Sequence, residues 1–188
     1  MFSGVTPTRR YIAYGSNLHP LRIIDRVPSA CLLGVTPLPG CQVRFEKRSL
    51  DGSSKCNLAL TEKEVDVAYG AVYEIPIGEK HLLDAAEGAG KGYVEKLLRI
   101  ELNSEFVDAF TYVAARSHLA PGLPPYDWYK ALVVAGARYH RLPAAYIDLL
   151  AAIPARADPD PQRALTNRNL LVQIESPASG EPLENRGE

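Results

Sequence analysis

Residues 78–102 read GEKHLLDAAEGAGKGYVEKLLRIEL, and the fold turns on how the glycine run at 88–92 is read. GAGKG tempts a phosphate-loop reading. A phosphate loop, however, places four residues between its first glycine and Gly-Lys, follows the lysine with Ser or Thr, and runs from a strand into a helix. Here Gly92 stands where the hydroxyl should be, and the order is reversed. Gly78–Glu87 reads as a short helix with Leu82 and Leu83 on its buried face, and Tyr93–Leu102 reads as a strand. The glycines therefore cap a helix and free the loop that follows it. A nucleotide-binding α/β fold loses its main support. An antiparallel hairpin takes its place, with Tyr93–Leu102 and Phe106–Val113 folded about the polar turn Asn103–Glu105.

The rest of the chain extends the same pattern. Strands are expected at Arg10–Ala13, Ala30–Thr36, Cys41–Glu46, Asn57–Thr61 and Val67–Ile75, with the breaker run PLPG between the second and third. His19–Arg26 reads as a short helix whose Pro20 fits the first turn. The last third turns helical: Pro125–Tyr139, Pro143–Ile153 after a turn at His140–Leu142, and Asp158–Asn169. Strands followed by helices predict an α+β fold, with a curved, mainly antiparallel sheet and flanking helices. Residues 1–175 are expected to form one domain, and the Pro-, Gly- and Glu-rich stretch 176–188 a disordered tail.

Bulk properties exclude several functions. The net charge of −1 over 188 residues provides no field that would draw the chain to nucleic acid or to an anionic membrane. No 18-residue apolar run is present, and MFSGVTPTRR lacks the apolar core of a signal peptide. Cys31, Cys41 and Cys56 are odd in number and widely spaced, which reads as reduced thiols in a cytoplasmic protein. His19, His81, His118 and His140 form no close ligand spacing.

The chemistry must therefore come from a local site. Tyr11–Leu18 (YIAYGSNL) carries a strand into a small polar loop. A tight turn would explain Gly15 and Asn17, and so would a cradle for a small molecule. Ser16 lacks a GxSxG context and an obvious His–Asp pair. Glu87 ends its helix beside Gly88, against the negative end of the macrodipole, where Lys or Arg is usually preferred. Tyr126, Trp128 and Tyr129, taken alone, read as core or rim aromatics.

In order and spacing, YIAYGSNL, RSLDGSSKCNLAL, VAYGAVYEI, LLDAAEG with GYVEKLLRIEL, and PPYDWYKALVVAGARYHRLPAAYIDLLAAI resemble the γ-glutamylcyclotransferase family. The resemblance runs over residues 10–153. It implies a small mixed, mainly antiparallel β-barrel with flanking helices and a cavity at one end. It implies an enzyme that needs no cofactor and acts on a small-molecule γ-glutamyl substrate, whose own α-amine attacks the γ-amide carbonyl and releases 5-oxoproline. By residue, it makes Glu87 the general acid/base. Gly15, Ser16, Asn17 and Leu18 become the loop that holds the substrate, and Tyr14 walls the cavity. Tyr93 and Tyr129 line it, and Asn57 sits on a strand beside it. The loop sequence Gly-Ser-Asn-Leu is similar to that of the branch acting on γ-glutamyl amino acids. Removal of a γ-glutamyl protecting group, cleavage of γ-glutamylamines and non-catalytic binding of a glutamyl metabolite remain as alternatives. Neither nucleic acid nor membrane is implied as a partner, and a homodimer is allowed.

Overall fold

Alternating burial along the strands and apolar faces on the helices build the molecule, which the computed structural model describes over residues 6–176. In chain order the elements are β1 (Thr8–Ala13), α1 (Pro20–Arg26), β2 (Cys31–Pro39), β3 (Cys41–Arg48), β4 (Ser54–Leu60), β5 (Val67–Pro76), α2 (Lys80–Glu87), β6 (Tyr93–Leu102), β7 (Glu105–Ala114), α3 (Asp127–Tyr139), α4 (Ala144–Ala152) and α5 (Pro161–Glu175). Of the expected tail at 176–188, all but Ser176 lies outside the described residues. Among the described residues, no helix is long and apolar enough to cross a membrane.

Five strands form one curled sheet in the order β2-β5-β1-β7-β6, and β3 and β4 form a separate ribbon. All pairings are antiparallel except β1 with β7, where Tyr11 lies opposite Phe110. The expected mixed, mainly antiparallel barrel is thus observed as a curled half-barrel, with β2 and β6 as its two edges. Its seam is closed by a side chain: Thr36 Oγ1 on β2 donates to Glu101 O on β6 at 2.7 Å. The β6–β7 hairpin turns at Asn103 and Ser104, with φ of 51° and 66°. Two left-handed residues match the twist of the flanking strands.

Of the boundaries that differ from the sequence reading, among them the end of α5 at Glu175 where Asn169 was expected, two bear on the sheet around the site. PLPG does not end β2, which runs to Pro39 and turns at Gly40. β2 is an edge strand, so the missing proline N–H groups cost no ladder bond. β4 begins at Ser54, three residues before Asn57, and so takes Lys55 and Cys56 into the sheet ribbon.

α3 is buried along most of its length, from Trp128 and Tyr129 to Ala137. A helix apolar on most sides belongs inside the core. Here it lies behind the loop that follows β1, and Gly136 makes that approach possible. A Cβ there would stand 2.5 Å from Leu18 Cβ and 2.9 Å from His19 N. α5 packs on α3, capped by Asp160, whose carboxylate accepts from Gln162 N at 3.0 Å and Arg163 N at 3.1 Å. Ahead of it, Asp158 receives Trp128 Nε1 at 2.7 Å and both arms of Arg163. Segment 154–176, which matches no family motif in the sequence, therefore holds the start of α3 in place.

Candidate active site

The loop after β1 is fixed from behind. Leu18 N donates to Gly15 O at 3.0 Å, which closes a tight turn over Ser16 and Asn17. Leu18 O in turn accepts from Tyr73 at 2.6 Å and from His140 Nε2 at 2.7 Å. Gly15 comes close to β4: a Cβ there would lie 3.2 Å from Cys56 Cβ. Ser16 and Asn17 are both buried, although serine and asparagine usually face water.

Glu87 meets this turn from α2. The helix ends on Gly88 at φ 64°, with Gly88 N bonded to Ala85 O and Ala89 N to Asp84 O. This paired closure is the Schellman arrangement, and it sets Glu87 at a defined position on the last turn. Glu87 Oε1 accepts from Asn17 Nδ2 at 2.7 Å and from Arg26 Nη1 at 2.7 Å. Arg26 Nη1 also reaches Asn17 Oδ1 at 2.8 Å, and Asn17 Nδ2 reaches the Tyr11 hydroxyl at 3.2 Å. The side chains of Arg26 and Glu87 are 18% and 16% exposed, so water screens the pair only weakly. Oε2 is left without a hydrogen bond among the described residues. One carboxylate oxygen is anchored, and the other is available for proton transfer.

The floor of the cavity is a wall of tyrosines. Tyr14 donates to Tyr112 O at 2.5 Å, Tyr93 donates to Cys56 O, and Tyr112 donates to Asp84. Tyr129 accepts from Cys56 N at 3.0 Å. Burial pushes the hydroxyls of Tyr11, Tyr14, Tyr93, Tyr112 and Tyr129 well above the ordinary phenol range, so they stay neutral. Burial also pushes the Cys56 thiol up to about 12, which removes it as a thiolate nucleophile.

The mouth of the cavity is cationic. Arg22 and Arg26 come from α1, one turn apart on one face, Lys47 from β3 and Lys55 from β4. Lys55 Nζ bonds Asp51 at 2.7 Å and Ser53 Oγ at 2.9 Å, and stands 4.8 Å from the Trp128 ring and 4.7 Å from the Tyr129 ring. Lys47 Nζ lies 4.6 Å above the Tyr93 ring.

The structure brings together Tyr14, Gly15, Ser16, Asn17, Glu87, Tyr93 and Tyr129 around one cavity. Two of the residues expected there are used otherwise. Leu18 is fully buried against α3 and supports the turn from behind. Asn57 is spent on structure: its Nδ2 donates to Glu46 at 2.8 Å, and its Oδ1 accepts from Ala114 N at 2.8 Å. Successive strand residues face opposite ways, and on β4 it is Cys56 that faces the cavity. Sequence reasoning missed Tyr11, Cys56, Tyr112 and the four cations. Arg22 and Arg26, spaced i and i+4 on a helix that directly follows YGSNL, were the signal available for two of them.

Residues 67–150 match the model of the AIG2-like family. No curated protein matches the chain. Among solved structures, a γ-glutamyl cyclotransferase superposes with a TM-score of 0.74 at 22% identity, over 89% of this chain and 99% of that one. A human protein described as uncharacterized gives 0.72 at 23% identity, over 87% and 98%. YkqA from Bacillus subtilis gives 0.65 at 20% identity, over 79% of this chain and 56% of its own. Likeness at these identities speaks for the fold, and function must be argued from the site. The chain takes the γ-glutamylcyclotransferase-like fold, and the segment that matches the AIG2-like family model, 67–150, carries Glu87, Tyr93 and Tyr129.

Proposed function

We propose that the protein is a γ-glutamylcyclotransferase with Glu87 as general acid/base. The observation that carries this reading is the Glu87 carboxylate, tied through Oε1 to Asn17 of the YGSN turn at the edge of the tyrosine-lined cavity. The α-amine nitrogen of a γ-glutamyl amide attacks its own γ-carbonyl carbon. The new C–N bond closes a five-membered lactam, the old amide C–N bond breaks, and the amine's proton leaves with the departing amine. No water or redox partner enters the balance. The nucleophile is part of the substrate, so the main task is to hold a folded, near-attack conformer. The YGSN turn and the tyrosine wall suit that task. Main-chain N–H groups of the turn are the donors we assign to the glutamyl group and the developing oxyanion. Tyr11, whose oxygen accepts from Asn17, keeps its own proton to donate. Glu87 takes the proton from the amine and returns it to the leaving nitrogen.

The test is release of 5-oxoproline from γ-Glu-Ala. The wild-type protein forms product, and Glu87→Gln, which keeps the shape and loses the proton relay, forms it at least about a hundredfold more slowly. Ser16→Ala weakens binding or geometry and keeps measurable turnover. Absence of product from the wild type, or full activity in Glu87→Gln, overturns the reading.

A further inference from the structure

Four cations and two carboxylates meet at the mouth of the cavity. Arg26 pairs with Glu87 at 2.7 Å, and Lys55 with Asp51 at 2.7 Å. Arg22 and Lys47 remain. Neither makes an ion pair within 4.0 Å among the described residues, although Asp25 shares α1 with Arg22. Lys47 is only 7% exposed, and its ammonium has an aromatic ring as its neighbour. The Nε of Arg22 is buried with no hydrogen-bond partner. Lys47 is buried and Arg22 half-buried, and a cation so shielded from water is costly while it stays unpaired. Both side chains line the outer part of the cavity together with Ser16, Glu87, Tyr93 and Tyr129, and those four also line its inner part. The two spaces are therefore one site, and its outer end is basic.

We propose that Lys47 and Arg22 form an anion subsite that binds a carboxylate on the leaving-group side of the substrate. The inference rests on the γ-glutamylcyclotransferase reading and adds to it the residues that select the leaving amine. With the glutamyl part held by the YGSN turn and its amide beside Glu87, the leaving group points outward past Tyr93 and Tyr129. Lys47 stands over Tyr93 there, and Arg22 projects from α1 on the same side as Arg26. A carboxylate in this position meets two charges in a low-dielectric mouth, and a neutral amide of the same size leaves both unpaired. Discrimination by unsatisfied buried groups is stronger than discrimination by size. Burial pulls the Lys47 ammonium below its ordinary value and, with the Arg26 charge beside it, Arg22 down to about 10; the more distant carboxylates Glu87 and Asp51 for Lys47, and Asp25 and Glu87 for Arg22, offset this only in part.

The experiment compares γ-Glu-Ala with γ-Glu-alaninamide, which differs only in the terminal charge. In the wild type, kcat/KM should favour the acid by at least about tenfold, with most of the difference in KM. Lys47→Met and Arg22→Met should each bring the ratio towards one, and Lys47→Arg should keep it. A wild-type ratio near one, or a ratio unchanged in both Met variants, overturns the subsite. Because the two substitutions lie on different elements, failure of one to fold leaves the other as the test. If the wild type turns over neither compound, the catalytic reading fails, and the subsite is judged on the ratio of dissociation constants by calorimetry. There, tighter binding of the acid that depends on Lys47 or Arg22 supports it, and equal binding of the two compounds overturns it.

Discussion

The floor and the mouth of the cavity are built from different materials. On the floor, most tyrosine hydroxyls are already engaged: Tyr14 with Tyr112 O, Tyr93 with Cys56 O, Tyr112 with Asp84. Their partners lie in the strands or at the end of α2, so the floor is rigid, neutral and shaped. In the mouth the charged groups only partly compensate one another, and Arg22 and Lys47 are left over. A neutral wall can orient a folded substrate without competing for its charges, and a basic rim can draw and sort what enters. Glu87 sits on the boundary, one oxygen held by a residue from each side: Asn17 of the floor loop and Arg26 of the mouth.

The sharpest way to break this division is Glu87→Gln. If proton transfer is confined to Glu87, kcat on γ-Glu-Ala falls about 10²–10⁴-fold, while stability falls by no more than Arg26→Gln costs, since the amide oxygen can still accept from Asn17 and Arg26. A second expectation concerns His19, which joins floor to mouth: it follows the YGSN turn and caps α1, accepting from Leu21 N through Nδ1 at 3.2 Å. It is buried with Nε2 unpartnered. Burial first, and the nearby His140 second, hold its pKa at about 4. The unfolded chain therefore takes up a proton as pH falls through about 6.5, and the folded protein resists until about 4. Stability declines across that window as the solution is acidified, by about 1.4 kcal/mol per pH unit at full slope. His140, held low by burial, acts in the same direction. Urea midpoints at pH 7 and pH 5 should diverge for the wild type and converge in His19→Asn, which keeps a capping side chain. An equal divergence in the variant would clear His19 of the effect.

Arg26→Gln tests the boundary itself. The substitution leaves the Glu87 carboxylate half-buried with only Asn17 as its anchor. A hydrogen bond to a charged group contributes about 1.5–3 kcal/mol, and the remaining exposure of the pair places the expected loss of stability near the lower end. The kinetic cost should fall on kcat more than on KM, because the carboxylate loses its orientation and the substrate keeps its turn. A rise in KM alone would assign Arg26 to the ligand and not to Glu87.

Strand and helix periodicity made most elements legible, because they are local. The β6–β7 hairpin, α2 with its glycine stop, and α3 were all readable from spacing, turn residues and caps. β2 was misjudged through Pro37 and Pro39, since only the tertiary structure makes it an edge. The site was half legible. YGSN and Glu87 stood out through a resemblance that covers several motifs, but their bond through Asn17 is made by α2 packing near α1. Lys47 was invisible for a similar reason. It lies just past the strand expected over Cys41–Glu46, and a register shift between Phe45 and Lys47 against β4 upsets simple alternation. Asn57 erred the other way: a polar residue beside the cavity in sequence, it faces its neighbours Glu46 and Ala114 in space.

The smallest effect is expected from Tyr14→Phe, and its smallness matters. The hydroxyl removed donates to Tyr112 O, a main-chain carbonyl of β7, so its loss leaves one buried acceptor without that donor. A single neutral hydrogen bond contributes about 1 kcal/mol, which lowers the melting temperature of a chain this size by about 2–4 °C. The ring still fills its place and the wall keeps its shape, so turnover should fall less than about tenfold, far short of the Glu87→Gln loss. Tyrosines that serve as scaffold give this pattern. If Tyr14→Phe instead matched Glu87→Gln in kcat with an unchanged melting temperature, a floor phenol would be moving protons, and the separation of a shaping floor from a charged mouth would have to be redrawn around Tyr14.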